Sequence, residues 1–394
     1  QMVDEVIAAL ESERKIMIED AKDGSRVTKP KPAFTTDTML QAAGSSLGWG
    51  VGKTMTVAGA LYNSGFITYL RTDSTRTDPG ARNQARSFIE SKWGTDYLGT
   101  PPGPGAGSAK DSKAQDAHEA IRPTNVELES VEDADQNRLY TLIRARFLAT
   151  QMSEAKYSTT SLTAKVKGFN RPLTSKVEWR VHGGWEAAFI ATGRKQPLTE
   201  RPSLDLMPGA EHVLDDIEEN PVFIEDQTKP PARFRQPSLV AQMKKSGIGR
   251  PSTYASTITT IQKRGYVENE SREGFERISN IISLKDNKLI SSQKKSIVGA
   301  EKKKLFPTDI GFVVTDFLVD HFSDIMDYSF TASVETEFDE IAEGKKVWNK
   351  MIASFYGGFH AKVENVIGSV GKASGERELG VDPISGNKVF ARIG

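Results

Sequence analysis

At 394 residues the chain is too long for a single hydrophobic core, so two to four domains are expected. Hydrophobic residues (37%) and charged residues (26%) stand in the balance of a globular protein, no apolar run reaches the 18 residues of a membrane span, and no signal-peptide pattern opens the chain. With 52 Lys or Arg against 52 Asp or Glu the net charge is zero; with no cysteine, disulfides, thiol catalysis and Cys-based zinc sites are excluded, and five scattered histidines argue against a histidine-rich metal centre.

Residues 2–20 read as an amphipathic helix, or a helix leading into a strand, through Val3, Ile7, Leu10, Ile16 and Ile18. The abrupt start at Gln1 and end at Gly394 are expected of a piece of a longer protein. Residues 24–33, with Lys29-Pro30-Lys31-Pro32, read as a linker. Residues 34–158 read as mainly helical. Thr36 or Asp37 is expected to cap a helix carrying Met39, Leu40 and Ala43, and a second helix is expected over 52–63, closed by Ser64-Gly65. Asp78-Pro79 forms an N-cap and first-turn pair for a helix through Ile89. The proline- and glycine-rich run 101–108 reads as a mobile loop that delivers the chain to His118. A helix over 133–150 follows, with Leu139, Leu142, Ile143 and Leu148 on its buried stripe.

The character changes at 159–232, where 161–166 and 176–181 alternate as strands. Charge is segregated here. Residues 211–226 are acidic, whereas 227–267 hold eight Lys or Arg and no acid. Local basic surface, more than net charge, decides nucleic-acid binding; a solvated basic face is the other reading. A helix over 238–246 is stopped by Gly247 and another over 252–264 by Gly265, and Tyr266 to about Leu284 reads as a hairpin or wing. Helix returns over 307–368: Pro307 opens one, Thr331 caps another, and 348–366 carries apolar spacing. From 370 the chain is rich in Gly and Ser, and 377–383 begins a further unit.

Three motifs carry chemistry. The first is Thr68-Tyr69-Leu70-Arg71-Thr72-Asp73-Ser74 at the end of a short apolar strand. Alternation puts Tyr69 and Arg71 on one side, about 7 Å apart. A phenol beside a permanent cation suits attack on phosphorus, with the guanidinium forking two phosphate oxygens. An edge tyrosine packing on an arginine stem is the alternative. The second is His118-Glu119-Ala120-Ile121-Arg122-Pro123-Thr124. Its imidazole can donate to a phosphate oxygen or relay a proton; Arg122 suits either a phosphate or an ion pair with Glu119. The third is Gly249-Arg250-Pro251-Ser252-Thr253-Tyr254-Ala255. Ser252 or Thr253 at a helix start leaves N–H groups facing out, Arg250 can grip phosphate, Tyr254 can stack a base, and Arg264 adds a contact in the last turn. Tyr254 packed inside and Arg264 serving the helix dipole is the competing reading. Gly52-Lys53-Thr54 is no P-loop, because Leu47 stands where the first glycine is needed. Asp309, Glu335, Glu337, Asp339 and Glu340 read as solvated helix acids.

In order and rough spacing, the three motifs resemble those of the type IA DNA topoisomerases, over residues 30–365. The resemblance implies an α+β, multidomain, toroid-like architecture. A β-rich arch (1–33 and 159–232) would join a helical domain with the active-site tyrosine (34–158) to a winged-helix-like DNA-binding domain of which 233–368 is the second part. Residues 369–394 would begin a truncated C-terminal region. It implies Tyr69 as the nucleophile forming a 5′-phosphotyrosine, Arg71 as transition-state stabiliser and His118 as a phosphate-contacting catalytic group, without ATP. Asp73, Arg122, Arg250, Ser252, Thr253, Tyr254 and Arg264 would meet DNA. The expected partners are single-stranded DNA and negatively supercoiled duplex, with no membrane, in a monomer of the cytoplasm at the nucleoid. Magnesium would belong to the full-length protein, on ligands outside this chain, leaving these 394 residues able to bind DNA but incomplete for cleavage. A winged-helix DNA-binding module without chemistry is the rival reading.

Overall fold

The computed structural model describes residues 15–100, 118–196, 207–213, 223–285, 288–370 and 377–391, together with Glu5, Ala8, Ala9 and Ser12, which are helical. The expected loop at 101–108 lies outside the described residues, as does most of the acidic run before 223. The fold is a mixed α+β one, as the resemblance implied.

The chain enters through β1 (Lys15–Thr28), whose 14 residues extend well into the expected linker. Residues 24–28 stay in the ladder because each has a partner in the antiparallel strand β2 (Ala155–Val166), down to Thr28 opposite Ala155. With β3 (Leu173–His182) and β4 (Glu211–Val213) these form a four-stranded sheet in the order β3-β2-β1-β4. Among the described residues between β1 and β2 run four α-helices: α1 (Thr36–Ser46), α2 (Val51–Asn63), α3 (Pro79–Trp93) and α4 (Ala134–Ala149). Asp78 caps α3 as its sequence suggests, accepting from the Ala81 N–H at 2.9 Å. The cap of α1 is Thr35, whose N–H donates to Thr38 Oγ1 at 2.9 Å. Thr36 and Asp37, the expected caps, are buried and held by tertiary partners instead. The core of this region gathers Phe34, Met39, Leu61, Ile67, Leu139 and Ile143. A short α5 (Glu186–Ile190) follows β3.

Past β5 (Phe223–Ile224), α6 (Gln236–Lys245) and α7 (Tyr254–Lys263) pack onto α1 and α2 through Leu40, Val51, Val240, Met243, Tyr254 and Ile258. The closest approach is glycine-dependent: a Cβ on Gly44 of α1 would lie 2.1 Å from Pro237 Cγ of α6. The expected wing has a different topology. β6 (Val267–Arg272) pairs not with its neighbour β7 (Phe275–Lys285) but with β9 (Glu301–Pro307), and β7 pairs with β8 (Lys288–Val298) and β5. A hairpin confined to 266–284 is therefore replaced by a long β7–β8 hairpin on a two-stranded base. Pro307 ends β9 and does not open a helix; α8 (Asp309–His321) is capped by Thr308, whose Oγ1 accepts from the Gly311 N–H at 3.0 Å. After α9 (Ser323–Met326), α10 (Tyr328–Ala342) starts at Asp327, so Thr331 lies inside the helix. Asp327 wins because its carboxylate accepts from the Ser329 N–H at 2.7 Å. The chain closes with α11 (Trp348–Ser369) and the pair β10 (Arg377–Val381) and β11 (Lys388–Ala391).

Candidate active site

The segment carrying Tyr69 belongs to no sheet; the expected strand is reduced to an isolated bridge between Ile67 and Pro123. What holds it is the second motif on one side and the start of α1 on the other. The Thr68 N–H donates to the Arg122 carbonyl at 3.0 Å, Thr68 Oγ1 donates to the Ala120 carbonyl at 2.7 Å, and the Thr124 N–H donates to the Phe66 carbonyl at 3.0 Å. Thr36 Oγ1 donates to the Leu70 carbonyl at 2.8 Å, and the Thr36 N–H to the Thr72 carbonyl at 2.9 Å. Period-two alternation survives without a ladder. Leu70, Thr72 and Ser74 are buried, so Tyr69, Arg71 and Asp73 share the outward side.

This arrangement brings two motifs into contact. The rings of Tyr69 and His118 stack with centroids 5.2 Å apart and planes 29° apart. Tyr62, the penultimate residue of α2, meets the Tyr69 ring edge-on at 5.3 Å. Sequence reasoning missed Tyr62, and its place two residues before Ser64-Gly65 carries no chemical signal. Arg71 is exposed and, among the described residues, makes no hydrogen bond or ion pair, which leaves its fork open to an anion.

Arg122 is engaged internally. Its Nε donates to Glu119 Oε2 at 2.9 Å and an Nη to Glu119 Oε1 at 2.8 Å, while another Nη donates to the Pro123 carbonyl at 3.0 Å. Glu119 Oε2 also accepts from the Asp78 N–H at 3.1 Å, tying the second motif to the start of α3. Of the two uses open to Arg122, the ion pair is the one seen.

The third motif packs on α1 and α2 through Tyr254. Arg250 donates to Asp339 Oδ2 at 3.1 Å and sits 3.5 Å from Glu335 Oε2, both on α10. These two acids, expected as solvated, are thus its partners. Lys244 donates to the buried carboxylate of Asp37 at 2.8 Å. Tyr254 is 5% exposed within the α1–α2–α6–α7 core. Burial, reinforced by the charges of Asp37, Asp73 and Glu335 against that of Arg250, pushes its hydroxyl up to about 12. Its ring packs inward, as one of the two readings held. Ser252 and Thr253 are exposed at the start of α7, and Thr253 Oγ1 accepts from the Arg250 N–H at 2.8 Å. Arg264 is exposed at the far end of that helix, about 15 Å from Tyr254 at the α-helical rise. Among the described residues no three His, Asp or Glu side chains are grouped so as to hold a metal ion.

A family model described as DNA topoisomerase matches residues 1–278 and 288–353. The DNA topoisomerase 1 of Pseudomonas aeruginosa is 36% identical over 91% of this chain, and that of Escherichia coli is likewise 36% identical over 91%. The chain spans 37% of the length of each. The structure of full-length topoisomerase I from Thermotoga maritima superposes on 99% of the chain and 59% of its own, with a TM-score of 0.73 at 29% identity. By the extent of the family match and the likeness of fold, this chain belongs to the DNA topoisomerase family.

Proposed function

We propose that this chain carries the strand-cleaving tyrosine of a type IA topoisomerase and serves to relax negatively supercoiled DNA. Tyr69 Oη attacks a phosphodiester of a single strand. Its bond to phosphorus forms as the bond to the 3′ oxygen breaks, the phenol gives up its proton, and the 3′ oxygen leaves as a hydroxyl. The 5′ end stays on the tyrosine. One phosphate ester replaces another, so the step reverses without ATP. Arg71 neutralises charge on the non-bridging oxygens, and His118, laid against the phenol, donates to one of them. The Tyr69–His118 stack, two residues from an exposed Arg71 that makes no ion pair among the described residues, supports the assignment.

Arg250, Ser252, Thr253 and Arg264 line the approach of the strand; Asp73 faces it on the side of Tyr69 and Arg71, and Arg122 supports the site through Glu119. Magnesium enters only as a cofactor of the longer protein, on residues outside this chain. A monomer acting at the nucleoid on single-stranded DNA and negatively supercoiled duplex fits this chemistry. The 394 residues alone bind single-stranded DNA weakly and cleave little of it; efficient magnesium-dependent relaxation by them would contradict that.

The test uses labelled single-stranded suicide substrate and the full-length protein. Tyr69→Phe abolishes the covalent adduct and keeps binding. An adduct in the Phe variant removes Tyr69 as nucleophile. No adduct even with the tyrosine in place leaves the winged-helix binding module as the better account.

A further inference from the structure

On the outer side of the seam between α1 and α6 lie two adjoining cavities of about 490 and 590 Å³ that share Gly44, Ser45, Arg235 and Pro237. Thr38, Gln41, Ala42 and Ser45 line the first, the i, i+3, i+4, i+7 stripe of α1 that faces away from its buried Met39, Leu40 and Ala43. Lys31 and Arg146 stand at one end, Arg235 at the middle, and Lys302 and Lys303 at the other. Among the described residues no Asp or Glu lines either cavity.

These cations are conspicuous for lacking acids. Among the described residues none of the five forms an ion pair. Arg146 has its Nε buried without a hydrogen-bond partner, and its guanidinium rests 4.5 Å from the centre of the Phe34 ring. Burial pulls its pKa down to about 10, which still leaves it charged at neutral pH. A buried cation without a counter-ion is costly, and an arriving anion relieves that cost. Lys303 takes a left-handed backbone, φ 51°, at an irregularity in the β6–β9 ladder. Its N–H donates to Ser271 Oγ at 3.0 Å and its Nζ to the Gly48 carbonyl at 3.0 Å, which holds Lys303 at the rim of the second cavity.

We propose that this groove is a second strand-binding site, which takes the phosphodiester backbone of a single DNA strand away from the cleavage site. Several separated cations along one trough match the repeated charge of a strand better than one small anion does. The Thr38–Ser45 stretch alone spans about 10 Å of α1, and the second cavity extends beyond it. The residues involved belong to none of the three motifs.

The experiment uses the full-length protein carrying Tyr69→Phe, so that its result does not depend on which residue cleaves. Binding of a fluorescent oligo-dT is followed by anisotropy across a salt series. Arg235→Gln with Lys303→Gln, both exposed positions, should weaken binding and reduce the slope of log affinity on log salt by about 1.4, at about 0.7 per phosphate contact. Separately, in the 394-residue chain, which has no cysteine, Ser45→Cys places a single thiol. Oligo-dT should slow maleimide labelling at that position, and inorganic phosphate at the same concentration should not. An unchanged salt slope, or labelling unaffected by oligo-dT, overturns the proposal. Equal protection by inorganic phosphate reduces the groove to a small-anion site and overturns it too.

Discussion

The imidazole of His118 lies against the face of the Tyr69 phenol, ring centres 5.2 Å apart, although 49 residues separate the two in sequence. That ring contact, with the hydrogen bonds from Thr68 to Ala120 and Arg122, brings together two motifs that are each ordinary alone. If the imidazole acts as a donor, His118→Phe, which keeps a ring in place, should slow adduct formation by about 100-fold, as much as His118→Ala. Single-turnover cleavage of labelled oligonucleotide measures this. A Phe variant that cleaves at the parental rate would show that the stack, not the proton donor, is what matters.

Arg122 and Glu119 form a two-pronged pair in which Arg122 is only 11% exposed. Arg122→Gln should cost about 1–3 kcal/mol in denaturant unfolding, less than a fully buried pair because Glu119 is 30% exposed. The salt slope of DNA binding should stay unchanged. A slope lowered by about 0.7 would instead mark Arg122 as a phosphate contact.

Tyr254 offers a clean separation of packing from stacking. Tyr254→Leu keeps apolar volume and removes the aromatic face. With the ring in the core, single-stranded DNA affinity should be unaltered, whereas Tyr254→Ala should cost about 3–5 kcal/mol of stability. A loss of about 1–3 kcal/mol in binding by the Leu variant would restore a base-stacking role.

Glu186 anchors the sheet with its α5 helix. Burial opposes its ionisation, but hydrogen bonds from Lys195 and Tyr157, with the charges of Lys195 and Arg180, outweigh burial and hold the carboxyl below 4.5. A depressed folded pKa means stability that is complete above the unfolded value and lost as pH falls through the folded one. Unfolding followed from pH 7 down to pH 3 should therefore show an acid-side loss below about pH 4.5 that is smaller in Glu186→Gln. An identical pH profile in that variant would remove this carboxylate from the acid transition.

Much of the helical framework is legible from local chemistry. Asp78-Pro79 starts α3 where it should, the stripe through Leu139, Leu142, Ile143 and Leu148 is buried, and Gly247 and Gly265 end α6 and α7 with φ of 70° each. What fails is what depends on distant partners. The 24–28 stretch looks like a linker until Ser158 and Tyr157 pair with it. The wing looks like a local hairpin until β9, some 30 residues on, takes β6 as its partner. Glu335 and Asp339 look solvated until Arg250 arrives.

Residue types and their order are set before any folding: a phenol two positions from an arginine, an imidazole downstream, a glycine-arginine-proline turn, and the alternation that sends Tyr69, Arg71 and Asp73 to one side. Local sterics and periodicity suffice for that. Which arginines remain free is a matter of the folded chain alone. Arg122 and Arg250 are equally cationic on paper, yet Glu119 claims one and Asp339 with Glu335 the other, while Arg71 makes no ion pair among the described residues. Charge pairing falls off with distance, and distance between residues far apart in sequence is set by packing, not by composition.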